Sequence, residues 1–294
     1  MTAPSGELGG PEHAAARWNA TSSMLKGVAR STIKAAAAAV DVVRREPQGI
    51  TILIYHRVGA GTGGQMDLPV DVFDAQMRWL AATQRLLTLD QALDELTAGA
   101  NGPGRAGLVV TFDDGTTDWV DHALPVLEAY EVPATFYVAT RFVDEQVPLP
   151  GDGTPITWKG LAELATSPLV TIGSHTHTHA LLDRLPAGQV ADELDRSTEL
   201  LGEHLGVTVD HFCYPKALPG SPAAEAAIRE RFRSATLART RTNHPGVDPY
   251  RLSRSPIQPA DAMRWFRRKA HGGLRAEDDL RRAVNRARYR GLDA

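Results

Sequence analysis

The chain has 294 residues, with 35 acidic and 32 basic side chains and a formal charge of −3. That length suits about two domains or one large α/β barrel. Hydrophobic content of 43% and charged content of 23% exclude wholesale disorder and fibrous classes, and the single cysteine, Cys213, excludes an intramolecular disulfide framework or a cysteine-based zinc module.

The charge is sorted along the chain. Residues 1–48 carry six basic and four acidic groups, residues 49–263 carry 16 and 27, and residues 264–294 carry ten and four. An acidic body at −11 therefore lies between ends at +2 and +6. No stretch approaches ~18 uncharged apolar residues, so no membrane-spanning helix is expected. The opening MTAPSGELGGPEHAAARWNA has acids where a secretory signal needs a basic region and an apolar core. On this reading the protein is cytoplasmic.

Small, polar and Gly/Pro-punctuated residues 1–22 predict a disordered tail. Over 23–48 the pattern turns helical: Leu25, Ala29 and Ile33 recur at four-residue spacing beside a stripe of Lys26, Arg30 and Lys34. Such a helix suits either an anionic membrane surface or packing on the outside of the following domain. From residue 49 strands and helices alternate. Strands are predicted at Ile50–Val58, Gly107–Phe112, Ala134–Ala139, Leu169–Ile172, His211–Tyr214 and Ala235–Leu237. Helices are predicted from Val72 to Ala82, Thr88–Leu96, Asp118–Tyr130, Lys159–Ala165, Pro186–Leu205 and Pro222–Phe232. This alternation implies an α/β fold with a parallel sheet, and closure into a distorted, incomplete (β/α) barrel over 49–258 removes its edges. Two more helices, Ala260–His271 and Ala276–Tyr289, form a basic extension over 259–294.

Three clusters fall at predicted C-terminal strand ends, where such folds place their sites. The first is Thr111-Phe112-Asp113-Asp114-Gly115. Adjacent carboxylates there cannot both face the core, and a cation, a shared proton or solvent must relieve their repulsion. The second holds three histidines in five residues, His175, His177 and His179. A strand would put all three on one face, whereas a helical turn would bring His175 and His179 together. Neutral imidazoles in such a pair suit a borderline metal such as zinc, with Asp114 or Asp113 as the oxygen ligand. The third is His211-Phe212-Cys213-Tyr214-Pro215-Lys216, a stiff wall that leaves backbone amides for a developing oxyanion.

With these motifs on the page, the chain resembles the polysaccharide deacetylases of carbohydrate esterase family 4, which share the NodB homology domain. TFDDG at 111–115 matches the first motif of that family and His175–His179 its second. YHRV (Tyr55–Val58) and DPYRLSR (Asp248–Arg254) resemble its accessory features. The resemblance implies a NodB-type barrel and a metal-dependent hydrolase that removes N-acetyl groups from a sugar. It makes Asp113 the general base and Asp114, His175 and His179 ligands of a divalent metal, usually Zn2+. Tyr214 and Pro215 would line the oxyanion and substrate side. Two departures stand out. Cys213 occupies the place where many members keep an arginine that braces the base, as in a branch with an FxYP-type third motif. Arg251-Leu252-Ser253-Arg254 replaces the segment bearing the acid histidine. Arg254 could orient Asp113 and His177 could protonate the leaving amine, but the general acid stays unassigned.

Three further readings follow. The same oxyanion chemistry serves an O-acetyl carbohydrate esterase. The missing arginine and histidine suit a non-catalytic, metal-retaining glycan-binding protein. The basic helices suit peripheral contact with anionic lipid at the inner membrane face. A nucleic-acid role is weaker: Arg264, Arg267, Arg268, Lys269, Arg281, Arg282 and Arg286 form a basic stripe with no base-reading module beside it. Oligomeric state is not legible.

Overall fold

The computed structural model describes Lys34, Ala37, residues 48–98 and residues 106–280. The β-rich run after Gly49 forms β1 (Ile50–Tyr55), but it stops three residues short of the predicted end. Arg57–Val58 (β2) turns away to pair with Asp67–Leu68 (β3) in a separate two-stranded ribbon. The cause is local. Trp119 Nε1 donates to His56 O at 2.7 Å and Val58 N donates to Asp118 Oδ2 at 2.7 Å, which draws the chain across the sheet end.

Amphipathic helices α1 (Val70–Ala82) and α2 (Leu89–Ala98) follow, and then the apolar, β-branched strand β4 (Gly107–Asp114), buried along its whole length. The predicted helix at Asp118–Tyr130 starts as a π-helical turn over Trp119–Ala123 and continues as α3 (Leu124–Ala129). Pro125 sits at this junction and has no N–H to return to the preceding turn. The remaining strands are β5 (Ala134–Val138), β6 (Val170–Ser174), β7 (His211–Cys213), β8 (Ser234–Thr236) and β9 (Arg254–Pro256). Between them lie α4 (Thr140–Glu145), α5 (Trp158–Ala165), α6 (Ala187–Leu205) and α7 (Pro222–Arg231). The short elements α4 and β9 were not anticipated from the pattern.

All seven strands of the main sheet run parallel, in the order β8-β7-β6-β5-β4-β1-β9. Its two edges meet. Leu252 N donates to Ala235 O, Leu237 N to Leu252 O and Arg239 N to Arg254 O, at 3.0, 2.8 and 2.9 Å. The result is a distorted (β/α) barrel drawn nearly shut by this seam. Successive side chains alternate between its two surfaces. Ile50, Ile52, Val109, Tyr137, Cys213 and Leu252 pack on the inside. The outer face carries an aromatic layer in which Phe112 stacks on Phe136 (4.6 Å) and on Tyr55 (5.4 Å), with Trp119 against Phe136 (4.9 Å). Each such pair adds roughly 0.5–1.5 kcal/mol beyond area burial, and all of them sit beneath the carboxyl end of β4.

The terminal extensions fold back onto the barrel. Helix α8 (Met263–Ala270) occupies most of the predicted Ala260–His271 segment, and residues 275–280 are helical. The rest of the Ala276–Tyr289 helix, the 1–22 tail, and Lys26 and Arg30 lie outside the described residues. Lys34 Nζ reaches Asp261 Oδ1 at 2.5 Å and Glu277 Oε1 at 2.8 Å, while Lys269 Nζ reaches Asp261 Oδ2 at 2.5 Å and Pro256 O at 2.8 Å. Ala37, Trp265 and Leu274 close an apolar cluster beside them. Two lysines of the predicted basic stripes are thus buried and paired, where an anionic surface would need them exposed. Among the described residues, no helix is long and apolar enough to cross a membrane.

Candidate active site

The carboxyl end of β4 carries Asp113 and Asp114, and strand alternation separates them. Asp113 points into the barrel, where Arg254 of β9 meets it with two charge-assisted hydrogen bonds: Nη1 to Oδ1 and Nη2 to Oδ2, both 2.7 Å. Arg254 is 1% exposed and Asp113 5%. The guanidinium also donates to Thr111 Oγ1 at 2.9 Å, Leu237 O at 3.3 Å and Cys213 Sγ at 2.8 Å, and it lies over the Tyr137 ring. Burial alone would raise the Asp113 carboxyl. The charge and hydrogen bonds of Arg254 outweigh it, with smaller help from His175 and His56, and hold it below the ordinary carboxylate value.

Asp114 turns the other way, towards the histidines, and its backbone takes a positive φ of 90°. Such strain persists only where neighbours fix it. Ala139 N bonds Asp114 O and Ile156 N bonds Gly115 O, both at 3.0 Å. Gly115, at φ 112°, completes a turn that a side chain would disfavour.

His175 follows β6 directly, and neither predicted geometry, strand nor helical turn, describes 175–179. Thr176 and His179 adopt left-handed φ values of 65° and 62°. These fold the segment into a tight irregular loop, with the His175 and His179 rings 4.8 Å apart. Nε2 of His175 lies 3.6 Å, and Nε2 of His179 3.7 Å, from Asp114 Oδ1. His175 Nδ1 sits 2.8 Å from Cys213 O. A carbonyl only accepts, so Nδ1 carries a hydrogen, and Nε2 is the ring atom that faces Asp114.

The donor set fits a divalent cation. One carboxylate oxygen and two imidazole nitrogens is a common catalytic zinc set, and bonds of about 2.0–2.2 Å at tetrahedral angles place ligand atoms about 3.3–3.6 Å apart. The charge balance agrees. Asp113 has Arg254 as its permanent counter-charge, whereas Asp114 faces only imidazoles. Burial would raise Asp114, but the hydrogen bond from His175 and the charges of His56 and His175 hold it far below the usual carboxylate range. Burial and the neighbouring His175 push His179 down to about 4, which leaves it neutral with a free lone pair.

Other predicted residues fall in less direct places. The Tyr214 amide, expected to face the oxyanion, donates to Thr236 O at 3.2 Å and so belongs to the sheet. Pro215 is buried and opens a tight turn (Pro215–Ala217) in which Lys216 has a φ of 51°. Among the described residues, none accepts the Lys216 N–H. The free amide on this wall is therefore two residues beyond the one the sequence suggested. His177 is turned aside: its Nδ1 lies 2.9 Å from Thr140 Oγ1. Cys213 does not replace the missing arginine. Its small side chain leaves room for Arg254, which brings the guanidinium to Asp113 from another strand.

Residues 100–232 match the family described as polysaccharide deacetylase. Over that segment, a little under half of its length, the chain is similar to the polysaccharide deacetylase family. A protein of Bacillus subtilis (strain 168), YxkH, is 26% identical over 215 residues, 73% of each chain. The solved structure of IcaB from Ammonifex degensii shares 27% identity and a TM-score of 0.64, covering 75% of this chain and 98% of its own. The Streptococcus pyogenes deacetylase PplD, solved with acetate, has a TM-score of 0.65 at 20% identity, over 76% and 99% of the two chains, a likeness of fold. The seven-stranded barrel of this chain is of that kind.

Proposed function

We propose that this protein is a metal-dependent deacetylase, a hydrolase that removes N-acetyl groups from a glycan, with Asp113 as general base and Asp114, His175 and His179 as metal ligands. The observation that carries the reading is the pairing of two separate devices at one strand end: a carboxylate held ionised by Arg254, and a second carboxylate converging with two imidazoles. A divalent ion in that cradle, zinc by ligand type, would polarise the acetyl carbonyl and lower the pKa of water from 15.7 towards about 7.

The protein's own groups supply the rest. Asp113, ionised at neutral pH, accepts the proton of the attacking water. Arg254 is a positioning residue: it fixes both carboxylate oxygens and keeps the base charged. The free Lys216 N–H is a ready donor to the oxygen that gains charge, a contact of a kind worth roughly 3–4 kcal/mol when removed. Tyr214 and Pro215 form the wall that holds this turn. The absent third-motif arginine favoured a non-catalytic glycan binder; with Arg254 on Asp113, that ground for the alternative falls away.

The test is acetate release from N-acetylglucosamine oligomers and an O-acetylated sugar panel, after chelation and after metal is restored. Metal-restored release from the N-acetyl substrates, abolished in Asp113→Asn, is the expected result. Release from O-acetyl sugars alone would make the protein an esterase. No release from either, with sugar binding intact, would make it a binding protein.

A further inference from the structure

The Arg254 guanidinium is occupied along its whole edge. Nη1 donates to Thr111 Oγ1 and Asp113 Oδ1, Nη2 to Asp113 Oδ2 and Cys213 Sγ, and Nε to Leu237 O. Each of its five N–H groups therefore has an acceptor. Those donors share one plane, so they fix the group within that plane and leave its faces to other contacts. A ring supplies one: Arg254 Cζ lies over Tyr137, 5.2 Å from the ring centroid.

The sheet brings that ring to the site. Asp113 of β4 and Tyr137 of β5 are register partners, and Tyr137 pairs in turn with Gly173 of β6. A Cβ on Gly173 would stand 2.6 Å from Tyr137 Cδ1 and 2.8 Å from Cε1. Glycine at that position gives the ring room to lean over β6 inside the barrel, where Tyr137 and Cys213 share one apolar cluster. Strands β4 and β1 separate β5 from β9 in the sheet, so the contact between Tyr137 and Arg254 crosses the interior. Tyr137 is 0% exposed and Arg254 1%. A cation over an aromatic face is held most firmly where water does not compete for it.

Resting on the deacetylase reading, we propose that Tyr137 is a positioning residue: its ring holds the Arg254 guanidinium square to Asp113, so that the carboxylate meets the attacking water in one orientation. The brace then has two parts. Hydrogen bonds grip the cation by its edge, and an aromatic ring from the far side of the barrel steadies its central carbon. No proton moves and no bond changes at Tyr137; it acts only through Arg254. What the role requires is the ring, which phenylalanine keeps and an aliphatic side chain lacks.

Tyr137→Leu, Tyr137→Met and Tyr137→Phe, each checked for wild-type metal content, are assayed for acetate release from an N-acetylglucosamine oligomer. In the leucine and methionine variants kcat should fall about 10–100-fold with KM within roughly threefold. Tyr137→Phe, which puts the ring back, should recover kcat to within about threefold of wild type. A filler role would instead make phenylalanine and leucine differ only in stability. Urea unfolding of wild type, Tyr137→Leu, Arg254→Met and the double variant gives a readout independent of turnover: the midpoint shifts should be non-additive, the double variant losing less than the sum. Leucine and methionine variants within threefold of wild type, a phenylalanine variant as impaired as leucine, or additive midpoints would overturn the assignment and leave the deacetylase reading standing. Wild-type protein that releases no acetate overturns that reading, and the role of Tyr137 with it.

Discussion

Replacing Arg254 by methionine isolates the Asp113 brace. The side chain is buried and makes five polar contacts, two of them to the carboxylate at 2.7 Å. Methionine fills much of the volume but leaves Asp113 in the barrel interior with no counter-charge. Breaking a buried pair this way costs about 3–5 kcal/mol, against a total stability of about 5–15 kcal/mol. With a urea m-value near 3 kcal/mol/M, the unfolding midpoint should drop by about 1–1.7 M. The effect on the carboxyl has a definite sign. In the native protein Asp113 lies below its ordinary value, so its pairing stabilises the fold above that value and is lost as pH falls through the depressed one. Without Arg254, burial dominates and the carboxyl moves up. The acid limb of kcat/KM should shift to higher pH by about one unit or more, each unit being about 1.4 kcal/mol. Adding Asp113→Asn to Arg254→Met removes the stranded charge and should recover part of the lost stability, a non-additivity of about 0.5–3 kcal/mol. An Arg254→Met protein within about 1 kcal/mol of wild type, with its acid limb unmoved, would refute the argument.

Further outcomes follow from the same contacts. His175→Ala, His179→Ala and Asp114→Asn should each abolish stoichiometric zinc binding by calorimetry, whereas Asp113→Asn should retain it; equal retention by all four would remove the cradle. Asp261→Asn leaves Lys34 and Lys269 facing each other without their shared carboxylate, and should cost about 3–5 kcal/mol in urea unfolding at pH 7. Asp261 is itself held below its ordinary value, burial being outweighed by Lys269 and Lys34. Its contribution is thus present above about pH 3.9 and shrinks on acidification, so the gap between wild type and Asp261→Asn should narrow towards pH 3. Gly173→Ala would bring a methyl to 2.6 Å from Tyr137 Cδ1 and 3.0 Å from His211 O. It should lower stability by about 1–3 kcal/mol in thermal unfolding.

The sequence displayed whatever was repeated or chemically loud. Gly107–Phe112 read as a doubly buried strand because every residue is apolar or β-branched, and it forms one. The acidic pair and the histidine triplet marked the two strand ends that meet. What escaped were features set by tertiary geometry. Strand β9 is three residues long and ends in proline, which an edge position tolerates, so no periodicity could announce it. The left-handed turns at Thr176 and His179 have no glycine to betray them. Arg254 and Asp113 are 141 positions apart; only closure of the barrel makes them partners. The hydrogen bond of the Tyr214 amide to Thr236 could not be read from the sequence because it requires β8 to be in place.

The seam between β8 and β9 also sets a timetable. Asp114, His175 and His179 are all made by residue 179, whereas the brace on Asp113 arrives 75 residues later, on the last strand to join the sheet. Chains emerge amino end first and fold as they go. A growing chain can therefore bring Asp114, His175 and His179 together while the neighbouring carboxylate is still without its counter-charge. The final strand is thus both the bolt of the barrel and the element that completes the Asp113 pair.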